Sequence, residues 1–327
     1  MRYRKLGKTN FNVSEISLGT WQLGGKWGNK FDEKTAWEIM RTSIENGVNF
    51  FDTADVYNDG LSEKEIGKFL KKRKEKIYIA TKCGRLLNPH IAEGYNRKNI
   101  VSFVNASLKN MDVDAIDLIQ LHCPPTEVYY RPEVFEVLDD LVREGKILHY
   151  GVSVEKVEEA LKAIEYPGVA SVQIIYNMFR QRPNELSFRE ARKKDVGIIV
   201  RVPLASGLLS GNYSKDTVFK KGDHRSFNRE GKYFDKGETF SGVPYEIGLE
   251  TVEELKKIFP AKELARHALK WILMDKNIIC VIPGASNVQQ VKSNVLASQM
   301  PDLAAKELIQ VKEIYGKKIK PYVHQLW

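Results

Sequence analysis

Residues 50–57, FFDTADVY, form an apolar run that ends in two aspartates and a tyrosine. The run reaches back to Val48, and a short apolar stretch bounded by polar residues predicts a buried strand. In a parallel barrel, the residues placed for chemistry lie at the carboxyl ends of the strands. Asp52 and Tyr57 therefore mark a candidate catalytic position, provided that later strands bring partners to the same place.

The rest of the chain alternates apolar strands with amphipathic helices. The predicted strands are 16–20, 48–53, 77–82, 116–122, 147–152, 171–176, 198–202 and 278–282. Most start about thirty to forty residues apart, the size of one strand–helix unit. Their near-continuous runs of Val and Ile favour parallel strands with a covered outer face. We therefore predict an α/β fold, a (β/α)8 TIM barrel in one domain over 1–327. An N-terminal hairpin within 1–14 precedes it, and extra C-terminal helices at 288–297 and 302–317 follow.

Three apolar stripes between these strands have the helical period. The stripes are Ile100, Phe103, Val104, Leu108 and Met111; Val134, Val137, Leu138, Leu141 and Val142; and Val154, Val157, Leu161 and Ile164. Ser62 before Glu63 is a helix start signal, and Gly47 and Gly145 are stop signals. Residues 220–241, after the seventh strand, are polar and glycine-spaced. A loop of this length is either a lid at the barrel mouth or a solvated excursion.

Composition narrows the class of protein. The net charge of +9 comes from dispersed lysines and arginines, which favours a solvated basic surface over a nucleic-acid face. A phosphate-bearing cofactor explains the charge equally well. The three cysteines are far apart in sequence, so neither a disulfide framework nor a metal site is indicated. The start, MRYRKLGKT, lacks a signal peptide, and no apolar run is long enough for a bilayer. We expect a cytoplasmic protein without metal, nucleic-acid or membrane partners.

Two further polar residues end the next predicted strands, Lys82 and His122. Taken singly, the lysine is explained as a snorkelling surface cation and the histidine as a hydrogen-bonded core residue. Together with Asp52 and Tyr57 they require four coincidences at neighbouring strand ends. A phenol is a poor acid at neutral pH unless a nearby cation stabilises its phenolate.

The four side chains therefore make chemical sense as one set. Lys82 can stabilise the phenolate of Tyr57, and Asp52 can hold Lys82 in place and keep it charged. His122 can orient a carbonyl oxygen by donating a hydrogen bond. Such a set describes a general acid that protonates an oxyanion as a nucleophile arrives at carbon. No activated side-chain nucleophile is evident, so the nucleophile could be hydride.

The segments FDTADVY, IATKCG and LIQLHCP resemble the catalytic tetrad motifs of the aldo-keto reductase superfamily. The resemblance runs along nearly the whole chain and includes LGTW at 18–21, YGVS at 150–153, VQIIYN at 172–177, PLASGLLSG at 203–211 and IPGASNVQQVKSN at 282–294. It implies that Tyr57 is the proton donor, that Lys82 and Asp52 tune it, and that His122 orients the carbonyl. It also implies that NADPH supplies the hydride to a small-molecule carbonyl substrate.

The resemblance further implies an extended cofactor across the mouth, without a Rossmann fingerprint. It places the carboxamide on Ser153 and Gln173, the pyrophosphate near Leu204, Ser206, Gly207 and Leu209, and the adenosine end near Gly284, Ser286, Gln290 and Asn294. Gly19, Thr20, Trp21, Asp52, Arg201 and Pro203 complete the predicted cofactor site. The glycine-rich stretch 24–28 is only a weak phosphate signal.

Three positions depart from the family pattern. Val154 stands where relatives often have an asparagine that contacts the amide. Arg201 replaces an aromatic residue that stacks on nicotinamide, although a guanidinium plane can also stack on a ring. Gln290 replaces an arginine that binds the 2′-phosphate, so the preference for NADP over NAD rests mainly on the resemblance.

The sequence leaves the substrate and the physiological role open. Trp21 is implied as a pocket wall, and Trp27, residues 220–241 and the tail with Trp327 could add further walls. The main prediction is an NADP-dependent reductase of aldehydes or ketones, as a monomer or weak homo-oligomer. One alternative is a cofactor-binding regulatory subunit of a channel with little turnover. Another is an enzyme that acts mainly as an alcohol or sugar dehydrogenase.

Overall fold

The computed structural model of the protein describes residues 1–24 and 31–327. Strands β1 (Tyr3–Lys5) and β2 (Asn12–Ser14) pair antiparallel, which confirms the predicted hairpin. Arg4 in β1 donates hydrogen bonds to the backbone oxygens of Leu273 and Ile278, at 2.7 and 2.5 Å. Since Ile278 begins the last strand of the barrel, the hairpin covers the amino-terminal ends of the strands and leaves the opposite mouth open.

Eight parallel strands follow, in an order that matches their order along the chain. They are β3 (Leu18–Gly19), β4 (Phe50–Asp52), β5 (Tyr78–Cys83), β6 (Ile116–His122), β7 (Ile147–Ser153), β8 (Val169–Ile175), β9 (Gly197–Arg201) and β10 (Ile278–Val281). Parallel bridges join Ile16 to Val281 and Gly19 to Gly284, so the first and last strands meet. The predicted (β/α)8 fold is confirmed. One domain over 1–327 stays a prediction.

A close approach of backbones explains the glycine in this seam between β3 and β10. The Gly19 N–H donates to the Pro283 oxygen at 3.1 Å. A Cβ atom at Gly19 would lie 2.6 Å from the Ile282 oxygen, well inside van der Waals contact. Only glycine allows the two backbones to meet at this distance.

The described chain contains twelve α-helices, and most of them cover the outer face of the sheet. They are α1 (Glu33–Glu45), α2 (Leu61–Leu70), α3 (Arg97–Met111), α4 (Pro132–Arg143), α5 (Val157–Ala163), α6 (Ser187–Lys193), α7 (His224–Phe227), α8 (Tyr245–Lys256), α9 (Leu264–Leu273), α10 (Val288–Leu296), α11 (Ala305–Ile314) and α12 (Lys320–Val323). The predicted C-terminal helices correspond to α10 and α11. Within the described residues, none of the helices has the length and apolar character needed to cross a membrane.

Two of the predicted helix signals were wrong. Val154 does not belong to the predicted third helix. It directly follows β7 and is fully buried, and α5 begins only at Val157. Ser62 lies inside α2 instead of capping it, and Gly60, with a φ of 79°, is the cap residue. The Ser62 hydroxyl hydrogen-bonds the Thr53 hydroxyl at 2.9 Å, so it ties α2 to the end of β4.

The barrel interior changes character from its closed end to its mouth. Side chains two residues apart on a strand point to the same face. The lower positions are apolar and pack with the hairpin; they include Phe50, Ala80, Leu118, Ile199 and Cys280. Two residues further along their strands come Asp52, Lys82, Gln120 and Arg201. The alternation of strand residues therefore places a layer of polar side chains directly above an apolar layer.

Candidate active site

The predicted tetrad is brought together at the carboxyl ends of β4, β5 and β6. The Lys82 ammonium donates to Asp52 Oδ1 at 2.5 Å and to the Thr53 backbone oxygen at 2.7 Å. Both charged side chains of this pair are almost fully buried. Lys82 Nζ lies 5.1 Å from the centre of the Tyr57 ring. His122 stands on another side of Tyr57, with its ring centre 6.1 Å from that of the phenol.

Burial and charge set the protonation states of these groups. Burial raises the pKa of Tyr57, and the opposing charge of Lys82 does not overcome it. Burial alone would lower the pKa of Lys82, but Asp52 and Tyr57 outweigh it and raise that pKa. Burial, with Arg85 and Lys82 nearby, holds the pKa of His122 well below its ordinary value. At neutral pH the set therefore contains a neutral phenol, a lysine cation and a neutral imidazole.

Two glutamines support the aspartate: Gln173, a predicted site residue, and Gln120, which the sequence did not predict. Asp52 Oδ2 accepts a hydrogen bond from Gln173 Nε2 at 2.7 Å, and Gln120 Nε2 lies at 3.4 Å from the same oxygen. Gln120 precedes His122 by two residues on β6, so it faces the barrel interior as His122 does. The spacing of two residues from His122 is therefore the sequence feature that points to Gln120. The two amides hold Asp52 from the side opposite Lys82.

Arg201 belongs to a buried charge cluster that consists of Arg85, Glu155, Arg201 and Glu238. Its Nη2 donates to Glu155 Oε2 at 2.7 Å and to the Val154 oxygen at 3.1 Å, while its Nη1 lies 3.4 Å from Glu238 Oε2. Arg85 forms ion pairs with both glutamates. Within the described chain, Cys123 and these glutamates are close enough to share a metal ion, but the guanidinium groups already pair with both carboxylates.

Burial favours a raised pKa for both glutamates of the charge cluster, but the arginines offset it to different extents. Burial alone would raise the pKa of Glu238, but Arg85 and Arg201 outweigh it and hold that pKa below its usual value. Burial raises the pKa of Glu155, and Arg201 offsets only part of this effect. Glu238 is therefore the carboxylate that keeps its charge most firmly, between the two arginines.

Residues 220–241 fold over the mouth and carry part of its wall. His224 in α7 lies with its ring centre 4.8 Å from that of Trp21, and Phe234 lies 6.3 Å from the same indole. Burial lowers the pKa of His224 to about 4, so its imidazole is neutral. Residues 220–241, predicted as either a lid or a solvated excursion, are thus structured, and they place the rings of His224 and Phe234 around Trp21.

Two predicted walls have a different outcome. Trp327 does not line the cavity; its indole N–H donates to Asp235 at 2.8 Å, and the Arg180 guanidinium lies 3.9 Å from its ring centre. It packs beneath residues 220–241 because Gly237 and Gly242 leave room for its rings. Trp27 and most of the glycine-rich stretch 24–28 lie outside the described residues.

A cavity of about 460 Å³ extends from Tyr57 and His122 to the start of α10. Most of the predicted cofactor residues line it: Gly19, Thr20, Trp21, Asp52, Gln173, Arg201, Pro203, Leu204, Ser206, Gly207, Gly284, Gln290 and Asn294. The sequence reasoning missed several other lining residues, among them Asn212, Tyr213, Arg225, Glu238 and Lys262.

Three predicted cofactor residues do not line this cavity. The Ser153 side chain is fully buried, with its hydroxyl 3.5 Å from the Cys123 sulfur. Leu209 is part of an apolar core with Leu208. Ser286 donates from its backbone N–H to Gln290 Oε1 at 2.7 Å, at the beginning of α10. The predicted cofactor contacts of these three residues stay predictions.

The cavity wall after β9 has an unusual backbone. Val202, Ala205 and Ser206 have φ angles of 50°, 46° and 54°, and Gly207 has 97°. A β-branched residue with positive φ is a genuine outlier, and such strain costs about 1–3 kcal/mol per residue. Strained backbone of this kind concentrates at ligand sites. The loop is therefore a candidate ligand contact on grounds that do not depend on side chains.

Comparison with known proteins identifies the family. Residues 15–316 match the model of the Aldo/keto reductase family. The chain belongs to the aldo/keto reductase family. It is 29% identical to Aldo-keto reductase YhdN of Bacillus subtilis (strain 168), over 90% of this chain and 87% of that protein. A probable voltage-gated potassium channel subunit beta of Arabidopsis thaliana is also 29% identical, over 98% of both chains.

Solved structures of aldo-keto reductases share the fold along the whole barrel. The holo form of aldo-keto reductase AKR11C1 from Bacillus halodurans has a TM-score of 0.75 and 30% identity, covering 96% of both chains. The glycerol dehydrogenase AKR11B4 from Gluconobacter oxydans has a TM-score of 0.76 and 25% identity, covering 98% of this chain and 96% of that one. Membership of the aldo/keto reductase family makes the protein an oxidoreductase that acts on carbonyl compounds.

Proposed function

We propose that this aldo-keto reductase reduces small aldehydes and ketones with NADPH, and that Tyr57 is the general acid. One observation carries the proposal: the Lys82 ammonium, held by Asp52 at 2.5 Å, lies beside the Tyr57 ring at the inner end of the cavity. A cation at this position stabilises the phenolate that remains after proton transfer. General acid catalysis of this kind contributes about 10²–10⁴-fold to a rate.

Each member of the tetrad has a distinct task in this proposal. The neutral Tyr57 phenol gives its proton to the carbonyl oxygen as negative charge develops there. Asp52 keeps Lys82 in place and charged. His122, whose pKa lies well below its ordinary value, donates a neutral N–H hydrogen bond that orients the carbonyl. When bound, the reduced nicotinamide supplies the hydride for the carbonyl carbon.

The cavity supports a dinucleotide that lies across the mouth. Gln173 is proposed to hold the carboxamide, the strained loop with Ser206 and Gly207 the pyrophosphate, and the first turn of α10 the adenosine end. Arg201 is proposed to lie against the nicotinamide: both of its Nη groups pair with carboxylates, and a guanidinium stacks on a ring through its flat face. NADP preference is supported by the net charge of +9 and by Lys262 in the cavity wall.

The substrate end of the pocket favours apolar or aromatic aldehydes. Its wall is built from Trp21 and the neutral ring of His224, backed by Phe234. We further propose a cytoplasmic protein, monomeric or weakly oligomeric, which is supported by three buried free cysteines.

The test combines the pure protein, NADPH or NADH, and a panel of aldehydes, with nicotinamide absorbance as the measure. Tyr57→Phe removes the acidic hydroxyl and should lower kcat by at least about 100-fold. Tyr233→Phe is the matched control, because Tyr233 is 65% exposed and has no part in the proposed tetrad. A Tyr57→Phe enzyme as fast as wild type would show that the acid is misassigned, and faster turnover with NADH would overturn the cofactor choice.

A second candidate function is a regulatory subunit that binds the cofactor with little turnover. The observation that favours it is the similarity to a potassium channel subunit beta across 98% of both chains. Tight NADPH binding without turnover of any aldehyde or alcohol supports this alternative. Similarity to a glycerol dehydrogenase leaves the physiological direction open as well. Rates measured with alcohols and NADP⁺ beside those with aldehydes and NADPH decide the direction.

A further inference from the structure

Asp55 is a buried carboxyl group that the proposed mechanism does not use. It lies between Asp52 and Tyr57 in the turn after β4, and only 6% of its surface is exposed. No donor meets either of its carboxyl oxygens in good hydrogen-bond geometry, and neither oxygen is reached by solvent. An ionised carboxylate in such a place is unfavourable, whereas a neutral acid is tolerated.

The neighbouring carboxyl group of Glu63 shows the opposite arrangement. Glu63, in α2, is also fully buried, but both of its oxygens accept hydrogen bonds. The Thr81 hydroxyl donates to Oε1 at 2.5 Å, and Asn110 Nδ2 donates to Oε2 at 2.8 Å. Hydrogen bonds of this kind favour the ionised form. Both oxygens of Glu63 therefore have donors in hydrogen-bond geometry, whereas the oxygens of Asp55 have none.

The other titratable groups around Asp55 would not neutralise a negative charge on its carboxyl group. Lys82 and Cys83 come from β5, and Lys82 already pairs with Asp52. Burial keeps the Cys83 thiol neutral by raising its pKa. Tyr95, which also faces this region, is bonded through its hydroxyl to His90 at 2.8 Å. Burial and then Glu63 raise the pKa of Asp55 to about 7, against the backbone N–H groups of Val56 and Asp55 and the charge of Lys82.

Two backbone hydrogen bonds hold the turn that carries Asp55 and Tyr57. The Asp55 N–H donates to the Lys82 backbone oxygen at 3.2 Å, and the Tyr57 N–H donates to the Ala54 oxygen at 3.1 Å. We propose that Asp55 is a positioning residue: it holds a proton beneath this turn, and loss of that proton shifts Tyr57 away from Lys82. The inference rests on the proposed role of Tyr57 as the acid.

The test is the dependence of kcat/KM for aldehyde reduction on pH, from pH 5 to 10. We expect the wild type to lose at least tenfold in kcat/KM through one ionisation near neutral pH, well before the phenol itself titrates. Asp55→Asn, which has the same shape but cannot ionise, should keep its rate through that range. Asp59→Asn changes an exposed acid of the same turn and should retain the wild-type profile. Identical alkaline limbs in the wild type and Asp55→Asn would overturn the proposal.

A second measurement does not depend on turnover. Because the folded protein binds the Asp55 proton more tightly than the unfolded chain, this proton stabilises the fold below about pH 4 and its effect is lost as pH rises to about 7. The melting temperature of Asp55→Asn minus that of the wild type should therefore rise by several degrees between pH 4 and 7 and then level off. A difference in melting temperature that does not change with pH refutes the proton on Asp55, even if Tyr57→Phe confirms the proposed function.

Glu63→Gln keeps the proposal testable if Asp55→Asn does not fold. Loss of the neighbouring negative charge should make Asp55 more acidic, so the alkaline loss of kcat/KM should begin at lower pH than in the wild type. An unmoved profile counts against Asp55. If Tyr57→Phe is fully active while the melting temperatures behave as expected, the acid assignment fails, the positioning role fails with it, and the buried proton stands.

Discussion

Removal of the Lys82 cation tests the buried ion pair on which the proposed acid depends. In Lys82→Met the ammonium is lost, while Asp52 remains buried at the end of β4. Across the 2.5 Å between Nζ and Oδ1, the attraction is about 7 kcal/mol at an effective dielectric constant of about 20. Desolvation of the two ions offsets much of this attraction. We therefore expect Lys82→Met to lower the free energy of unfolding by about 3–5 kcal/mol.

Urea unfolding of the wild type, Lys82→Met, Asp52→Asn and the double variant measures the coupling. The double variant leaves no orphaned charge, so it should be more stable than Lys82→Met, with a coupling energy of at least about 2 kcal/mol. Additivity within about 0.5 kcal/mol, as for independent sites, would refute the reasoning. Lys270→Met is the matched control. Lys270 is equally buried, but its partner Asp302 is 74% exposed, so its removal leaves a carboxylate in water and should cost clearly less.

Two further predictions concern the walls of the cavity. Arg201→Ala should raise the Kd for NADPH about tenfold in a fluorescence titration, since stacking of a cation on a ring contributes about 0.5–2 kcal/mol. Arg201→Lys should also lose affinity, because lysine keeps the charge but not the planar group. Unchanged affinity in these variants removes the stacking role. His224→Gln tests the buried neutral imidazole. Because burial lowers the pKa of His224 to about 4, the stability that its neutral ring contributes is fully present above about pH 6.5, and about 3 kcal/mol of it is lost as pH falls toward 4. Unfolding measured against pH should show a smaller acid loss in His224→Gln, and parallel curves contradict it.

The strands could be located from sequence because hydrophobic runs mark them directly. β6 occupies 116–122, as predicted. β4 spans only Phe50–Asp52, shorter than the predicted 48–53, because it pairs with β3 over two residues and with β5 over three. Strand length therefore depends on the neighbour in the sheet, which a local apolar run does not reveal.

The tetrad could be predicted because each residue ends an apolar run or follows one at short distance. The charge cluster could not. Arg85, Glu155 and Glu238 follow or lie between elements in loops without periodicity, and each is one charged residue among many in this sequence. Only the closed barrel brings them within ion-pair distance. Arg201 departs from the family pattern in the sequence, but which residues pair with it depends on the fold.

The seam between β3 and β10 has a consequence for synthesis of the chain. It joins Ile16 to Val281 and Gly19 to Gly284, so residues made first wait for partners made more than two hundred residues later. At about 5–20 residues per second, that delay lasts tens of seconds on the ribosome. Until residues 278–284 emerge, β3 and β9 remain unpaired edges, which invite pairing with other chains. The nascent chain therefore exposes two strand edges to intermolecular pairing until the barrel closes.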